Sequence, residues 1–335
     1  MDTAIAPAAT AAGPTAAHSL IDARLSRIED VARDTKLYTF ERIDGGKLPG
    51  YKPGAHIDLH LPNGLLRQFS LTVPASDPDS YTVGVKRDEN SRGGSRYIIE
   101  QMKVGDQIKI SAPRNNFPLV EKAEHVVLFA GGIGITPILP MIAEVAAWGR
   151  DWQLVYGGRT RSSMALRGEL ERRYPGHVEI HPQDERGLLD LPTLLAGPAE
   201  DADDTAIYCC GPEALLTAVE QHCTSWPAGA LHVERFAPKA GAAGGRREAF
   251  EVELAQTGTV LRVPADRSIL EIVEDSGVAV LSSCQEGTCG TCETVVLSGR
   301  PDHRDSVLTE EERKACDLMM ICVSRSCSPR LVLDL

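Results

Sequence analysis

Four cysteines near the C-terminal end constrain this chain more than any other feature. Cys284, Cys289 and Cys292 follow a C-x4-C-x2-C spacing, and Cys322 comes after a further 29 residues. Three thiolates in one short loop with a fourth from farther along is the ligand spacing of a [2Fe–2S] centre. Such a cluster presents little surface, so its ligands must converge. In CQEGTCGTC, Gly287 and Gly290 let backbone N–H groups turn inward toward sulfur. Free buried thiols and a zinc site are the rival readings. Zinc sites more often pair two C-x2-C knuckles, and this chain has a single such pair here. Cys316 and Cys327 flank Cys322 and compete for the fourth place, but spacing and the apolar run LMMICV favour Cys322. Cys223 has no partner in sequence and reads as core packing.

A chain of 335 residues exceeds what one hydrophobic core usually supports, so two or three domains are expected. The net charge of −12 argues against a nucleic-acid partner, whose phosphates it would repel. No apolar run reaches the ~20 residues that span a bilayer, so no membrane segment is expected. Residues 1–18 are rich in Ala, Pro and Thr and lack a basic start and a compact apolar stretch. They read as a flexible extension rather than a signal peptide, and the protein as cytoplasmic. In that compartment nine cysteines point to metal or redox chemistry before disulfides.

Three patterns divide the remainder. From 19 to 118, apolar or alternating runs such as YKPGAHIDLHLP, LRQFSLTVP and YTVGVKR are punctuated by Gly, Pro, Asn and Asp, which predicts an antiparallel barrel. VARDTKLYTFERI is the first of these strands. From 119 to 237, the buried runs HVVLFAGG, WQLVYGG and IYCCGP alternate with helical spacing in ILPMIAEVAAWG, MALRGELERRY and EALLTAVEQHC, which predicts a parallel α/β layer. Residues 238–248 are rich in Gly and Ala and read as a linker. The segment 249–335 opens on a hairpin, FEVELAQ and VLRVPA, then a helix over SILEIVEDSG.

Two glycine-bearing turns stand out as anion sites. SRGGSRYI sets Gly93, Gly94 and Ser95 at the start of a predicted helix. AGGIGITP follows a strand, with Gly131, Gly132 and Gly134 placed for close backbone approach to a pyrophosphate and Pro137 in the first helical turn. A third turn, Cys210-Gly211-Pro212, ends the strand AIYCC, where Cys209 alternates to the opposite side. In RQFSL, Arg67 and Phe69 share one face of a strand and Ser70 the other.

Taken together these motifs resemble the phthalate dioxygenase reductase and vanillate demethylase reductase family of the ferredoxin reductase superfamily. The resemblance runs from about residue 20 to the end. It implies a multidomain α+β chain: a flavin-binding antiparallel barrel, a parallel α/β nucleotide domain and a C-terminal β-grasp ferredoxin domain of plant type. It implies that Arg67 holds the flavin phosphate, Phe69 packs by the flavin, and Ser70 sits near its N5. Gly93, Gly94 and Ser95 would clasp a terminal phosphate, which favours FMN over FAD, with Lys86 close to the flavin. Gly131, Gly132, Gly134 and Thr136 would hold the nucleotide, with Thr136 near the nicotinamide. The Cys210-Gly211-Pro212 turn would place Cys210 beside the hydride path, and Phe236 would lie by the flavin ring. Glu234 either orients the nicotinamide region or is a solvated surface charge. Arg159 and Arg161 in YGGRTRSS would suit a 2′-phosphate, or Arg159 the pyrophosphate. The family preference points to NADH.

These cofactors imply a route from NADH through FMN and [2Fe–2S] to an external acceptor. The resemblance makes that acceptor the terminal oxygenase of a two-component Rieske non-haem iron system, a demethylase or ring hydroxylase. A cytochrome P450 is the alternative partner, and a redox-sensing interaction protein a more distant one. With all cofactor domains in one chain, a monomer is compatible with the sequence. From residue 249 on, 15 Asp and Glu against 8 Lys and Arg give a formal −7, a surface suited to a basic partner.

Overall fold

The computed structural model describes residues 20–74, 78–88, 93–196, 202–239 and 248–335. The expected N-terminal extension, most of the expected linker, and Ser91 and Arg92 of SRGGSRYI lie outside these residues.

The first layer is antiparallel. Strands β1 (Ile21–Ala32), β2 (Thr35–Arg42), β3 (Ala55–His60), β4 (Leu66–Ser70), β5 (Ser80–Lys86) and β6 (Gln107–Ile110) lie in the order β4-β3-β6-β1-β2-β5, and β7 (Arg114–Asn115) pairs with β3. A bridge between Leu71 and Val83 joins the two ends, so the sheet curls closed. Strand alternation sorts β3: Ala55, Ile57 and Leu59 enter the barrel core, and His56 and Asp58 face outward. Helix α1 (Gly94–Gln101) packs Ile98 into the same core.

The sequence pattern of VARDTKLYTFERI spans not one strand but the end of β1, a turn with Asp34 at φ 57°, and β2. Most of β1 goes unread because its charged residues blur the alternation; only Ala23 and Leu25 are buried along it.

The second layer is wholly parallel. Strands β8 (His125–Gly131), β9 (Asp151–Gly158), β10 (Val178–Pro182), β11 (Thr205–Cys210) and β12 (Leu231–Glu234) lie in the order β10-β9-β8-β11-β12. Helices α2 (Ile135–Trp148) and α3 (Arg167–Arg173) cover one face; after the short α4 (Gln183–Arg186), α5 (Leu191–Leu194) and α6 (Glu213–His222) cover the other. Cys209 and Cys223 share the core beneath α6, and Cys210 alternates to the core beneath α2.

The last layer is a mixed sheet of β13 (Phe250–Leu254), β14 (Thr259–Val263), β15 (Glu293–Ser298), β17 (Leu318–Met320) and β19 (Arg330–Leu333), with a small ladder of β16 (Pro301–Asp302) and β18 (Arg325–Ser326). It runs β14-β13-β19-β15-β17, with β13 and β19 parallel. Helix α7 (Ile269–Asp275) packs Ile269, Leu270 and Val273 into its core, and the short α8 (Glu310–Ala315) precedes β17. Both helices begin with a capping box, Ser268 with Glu271 and Thr309 with Glu312.

Ile57 is fully buried at the centre of β3. Ile57→Ala is expected to destabilise the barrel by about 2–5 kcal/mol, read as a lower urea midpoint of its unfolding transition.

Candidate functional site

The nucleotide turn is built by backbone contact. Gly134 lies so close to the Cys210 carbonyl that no side chain fits between them, and a Cβ on Gly131 would stand 2.6 Å from the Pro212 ring. The AGGIGITP turn and the Cys210-Gly211-Pro212 turn therefore pack face to face at the C-terminal edge of adjacent strands β8 and β11. In open α/β sheets ligands bind at this edge. Tyr156 braces the turn by donating to the Gly132 carbonyl at 3.1 Å. Thr136 donates to the Ile133 carbonyl at 2.9 Å, and its methyl is 2.5 Å from where a Cβ on Gly84 would sit. That contact seats the nucleotide turn on barrel strand β5.

Lys86, at the end of β5, is half-buried near Gly132, with its pKa lowered by burial and by the neighbouring charge of Arg159. It thus lies on the nucleotide side of the barrel. Arg161 is occupied: its guanidinium pairs with Glu185 at 2.8 Å.

The flavin strand β4 brings its residues to two places. Arg67 lies across Gly94 in contact too close for a Cβ there, and its Nη1 donates to the Leu66 carbonyl at 2.7 Å. This puts a guanidinium at the start of α1 beside the N–H groups of that turn, with the Ser95 hydroxyl accepting from the Asp88 N–H at 3.4 Å. Phe69 stands opposite Ile57 and Ser70 opposite His56. Ser70 donates to Glu234 Oε2 at 3.4 Å, and the Cys210 thiol reaches the same oxygen at 3.9 Å. The carboxyl therefore joins the flavin strand to the nucleotide turn.

Glu234 keeps some surface as a residue, but its carboxyl is enclosed, and burial pushes its pKa up to about 8. Burial also holds the Cys210 thiol well above its ordinary range. Both groups carry protons at neutral pH. Of the two readings of Glu234, the solvated surface charge is excluded. Arg235, paired with Glu213 at 3.2 Å and Glu220 at 2.8 Å, anchors the chain just after Glu234. Phe236 is 47% exposed, so it is not a core phenylalanine.

The cluster loop gathers its four cysteines. Cys284 is hydrogen-bonded to Cys289 and Cys322, and Cys322 also to Cys292. Cys316 instead donates to the Arg313 carbonyl at 3.2 Å, and Cys327 is exposed. The N–H groups of Glu286 and Thr288 point at the Cys284 sulfur at 3.3 and 3.4 Å. Gly287 and Gly290, both at φ 70°, make the turns that aim them. Mutual hydrogen bonding lowers the Cys284 pKa and raises that of Cys322. Converging thiols met by backbone donors fit a [2Fe–2S] cluster. Near the flavin strand, His56 Nε2 and Gln68 Nε2 are buried without a partner, as expected where a bound group supplies acceptors.

Sequence reasoning did not single out His56, Asp58 or Asn116, which lie against the cluster loop, or Ser283 within it. For His56 and Asp58 the sequence signal is His and Asp on alternate positions of an otherwise apolar strand; Asn116 and Ser283 have none.

These sites define a nicotinamide-dependent flavin and iron–sulfur electron-transfer protein. Residues 22–118 match the oxidoreductase FAD-binding domain family, 128–221 the oxidoreductase NAD-binding domain family, and 252–327 the 2Fe-2S iron-sulfur cluster binding domain family. The chain is 43% identical over 327 residues to the tetrachlorobenzoquinone reductase of Sphingobium chlorophenolicum, covering 95% of this chain and 98% of that one. It is 42% identical over 326 residues to the vanillate O-demethylase oxidoreductase of Pseudomonas sp. (strain HR199 / DSM 7063), covering 94% and 100%. Among solved structures, an intact type IV self-sufficient cytochrome P450 monooxygenase matches with a TM-score of 0.86 and 39% identity, over 94% of this chain and 41% of that one. The chain belongs to the phthalate dioxygenase reductase and vanillate demethylase reductase family. It is an oxidoreductase with flavin, nicotinamide-nucleotide and [2Fe–2S] domains. Among the described residues no helix is long and apolar enough to cross a membrane.

A carboxyl whose pKa is raised by folding adds stability below its unfolded value near 4.5, and that stability is lost as pH rises through about 8. The protein is therefore expected to lose on the order of 2 kcal/mol between about pH 5 and pH 9 from this group. Thermal melts of Glu234→Gln against the parent across that range check this, the variant showing the flatter profile.

Proposed function

We propose that this protein is the reductase component of a two-component Rieske non-haem iron oxygenase, a demethylase or ring hydroxylase, and that it passes electrons from NADH through FMN and [2Fe–2S] to that oxygenase. The observation that carries the reading is the meeting of Ser70 and Cys210 on one carboxyl of Glu234, which joins flavin strand and nucleotide turn. A flavin held there would supply the conversion between the two electrons of a hydride and the single electrons that a [2Fe–2S] cluster takes. Around it, Ser70, Cys210 and the protonated Glu234 line the hydride path. Thr136 and the turns of Gly131, Gly132, Gly134, Gly211 and Pro212 hold the nucleotide, and Phe236 covers the flavin ring. Cys284, Cys289, Cys292 and Cys322 ligate the cluster.

Two choices within this reading rest on geometry. Arg67 across Gly94, with Gly93 and Ser95 at the start of α1, makes a compact clasp for a terminal phosphate, which supports FMN although the matching domain family is named for FAD. The pairing of Arg161 with Glu185 leaves that cation neutralised, which supports NADH over a 2′-phosphorylated nucleotide, with Lys86 and Arg159 left for the pyrophosphate. We assign 19–118 to the FMN barrel, 119–237 to the NAD domain and 249–335 to the ferredoxin domain. Likeness to a self-sufficient P450 over 41% of that longer chain favours a haem oxygenase as the second possible acceptor.

Anaerobic titration with NADH is expected to bleach both flavin and cluster absorbance; a protein that binds zinc and shows no cluster after reconstitution would refute the reading. Cys289→Ser is expected to lose cluster absorbance yet keep NADH-driven flavin bleaching. Arg67→Ala should weaken FMN retention by about 10-fold or more, in line with losing a charge-assisted contact, measured by flavin release on gel filtration.

A further inference from the structure

The outward face of β3 is where the barrel meets the ferredoxin domain. His56 and Asp58 point away from the barrel core, yet they are only 3% and 4% exposed. The cluster loop lies against them. Ser283, which precedes the ligand Cys284, donates to Asp58 Oδ1 at 2.8 Å. The other carboxylate oxygen accepts from Arg114 Nη2 at 2.7 Å. At a second point, Asn116 Nδ2 donates to the carbonyl of the ligand Cys289 at 2.7 Å. Gly290 leaves room for that amide: a Cβ there would stand 2.8 Å from Asn116 Nδ2.

The bonds made by Ser283 and by the Cys289 carbonyl thus involve a proposed cluster ligand or the residue next to one. Asp58 lies on β3 and Asn116 directly follows β7, which pairs with β3, and β3 is also the neighbour of β4, with His56 in register with Ser70 and Asp58 with Gln68. The two hydrogen bonds therefore tie the cluster loop to the face of the barrel that carries Ser70. Domains of one chain move relative to each other by default unless their interface fixes them, and electron transfer falls steeply with separation.

We propose that Asp58 and Asn116 are positioning residues that lock the cluster loop onto the flavin-binding side of the barrel and set the spacing between the two redox sites. The inference rests on the electron route given above. NADH titration of the unmodified protein tests that route by itself, so the two fail separately.

The test uses the holoprotein in anaerobic stopped flow with NADH, comparing Ser283→Ala, Asn116→Ala, their double variant and Ser283→Thr, which keeps the donor. In the double variant, flavin bleaching is expected to stay within about twofold of the parent while cluster bleaching slows by about tenfold or more. Iron content should match the parent, amides 283–290 should exchange hydrogen faster, and Ser283→Thr should keep the parent rate. Faster exchange with an unchanged cluster phase would overturn the proposal. So would loss of iron with a parental rate in the loaded fraction, since that is the mark of a purely structural role.

Discussion

A carboxylate removed from water must find partners, and Asp58 finds one in each of two domains. Arg114 approaches from the strand that pairs with β3, and Ser283 from the cluster loop. One buried group thereby links the closing of the barrel to the seating of the ferredoxin domain. Taking away a single partner leaves the remainder of such a network under-satisfied in a region of low dielectric. The same alternation that turns Asp58 outward sends Ile57 and Leu59 into the barrel core, so stability and docking are written on opposite faces of one strand.

A comparable economy holds at the other interface. Two turns approach closely enough that Gly134 meets only backbone of the other turn and Gly131 meets the Pro212 ring, so that neither glycine position has room for a side chain. Beside them a single carboxyl receives a hydroxyl from one domain and a thiol from the other. Burial raises the pKa of that carboxyl to about 8, which disfavours a negative charge at the junction of the two domains near neutral pH.

Much of this was legible in the sequence because it depends on local spacing. The C-x4-C-x2-C loop and the glycine turns are backbone requirements, and only a few residue types satisfy them. The parallel layer showed in its alternation of apolar runs and helical spacing. What escaped notice depends on contacts between residues far apart in the chain: Asp58 with Ser283 across 225 positions, and Asn116 with Cys289 across 173. Glu234 could not be told from a surface charge, since its neighbours come from β4 and β11. Strand β1 hid behind charged side chains on its open face, and the occupation of Arg161 by Glu185 needed the short helix α4 after β10 to lie against the Arg161 turn.

The order of these parts along the chain has a consequence for how the molecule matures. The residues proposed for flavin and nucleotide all lie at or before position 236, whereas Cys322 is the last of the four proposed sulfur ligands in chain order. During synthesis the outward face of β3 is made 225 positions before Ser283, which covers Asp58. Seating of the cluster loop on the barrel is therefore a late event in chain order, made by Ser283 on Asp58 and by Asn116 on the Cys289 carbonyl.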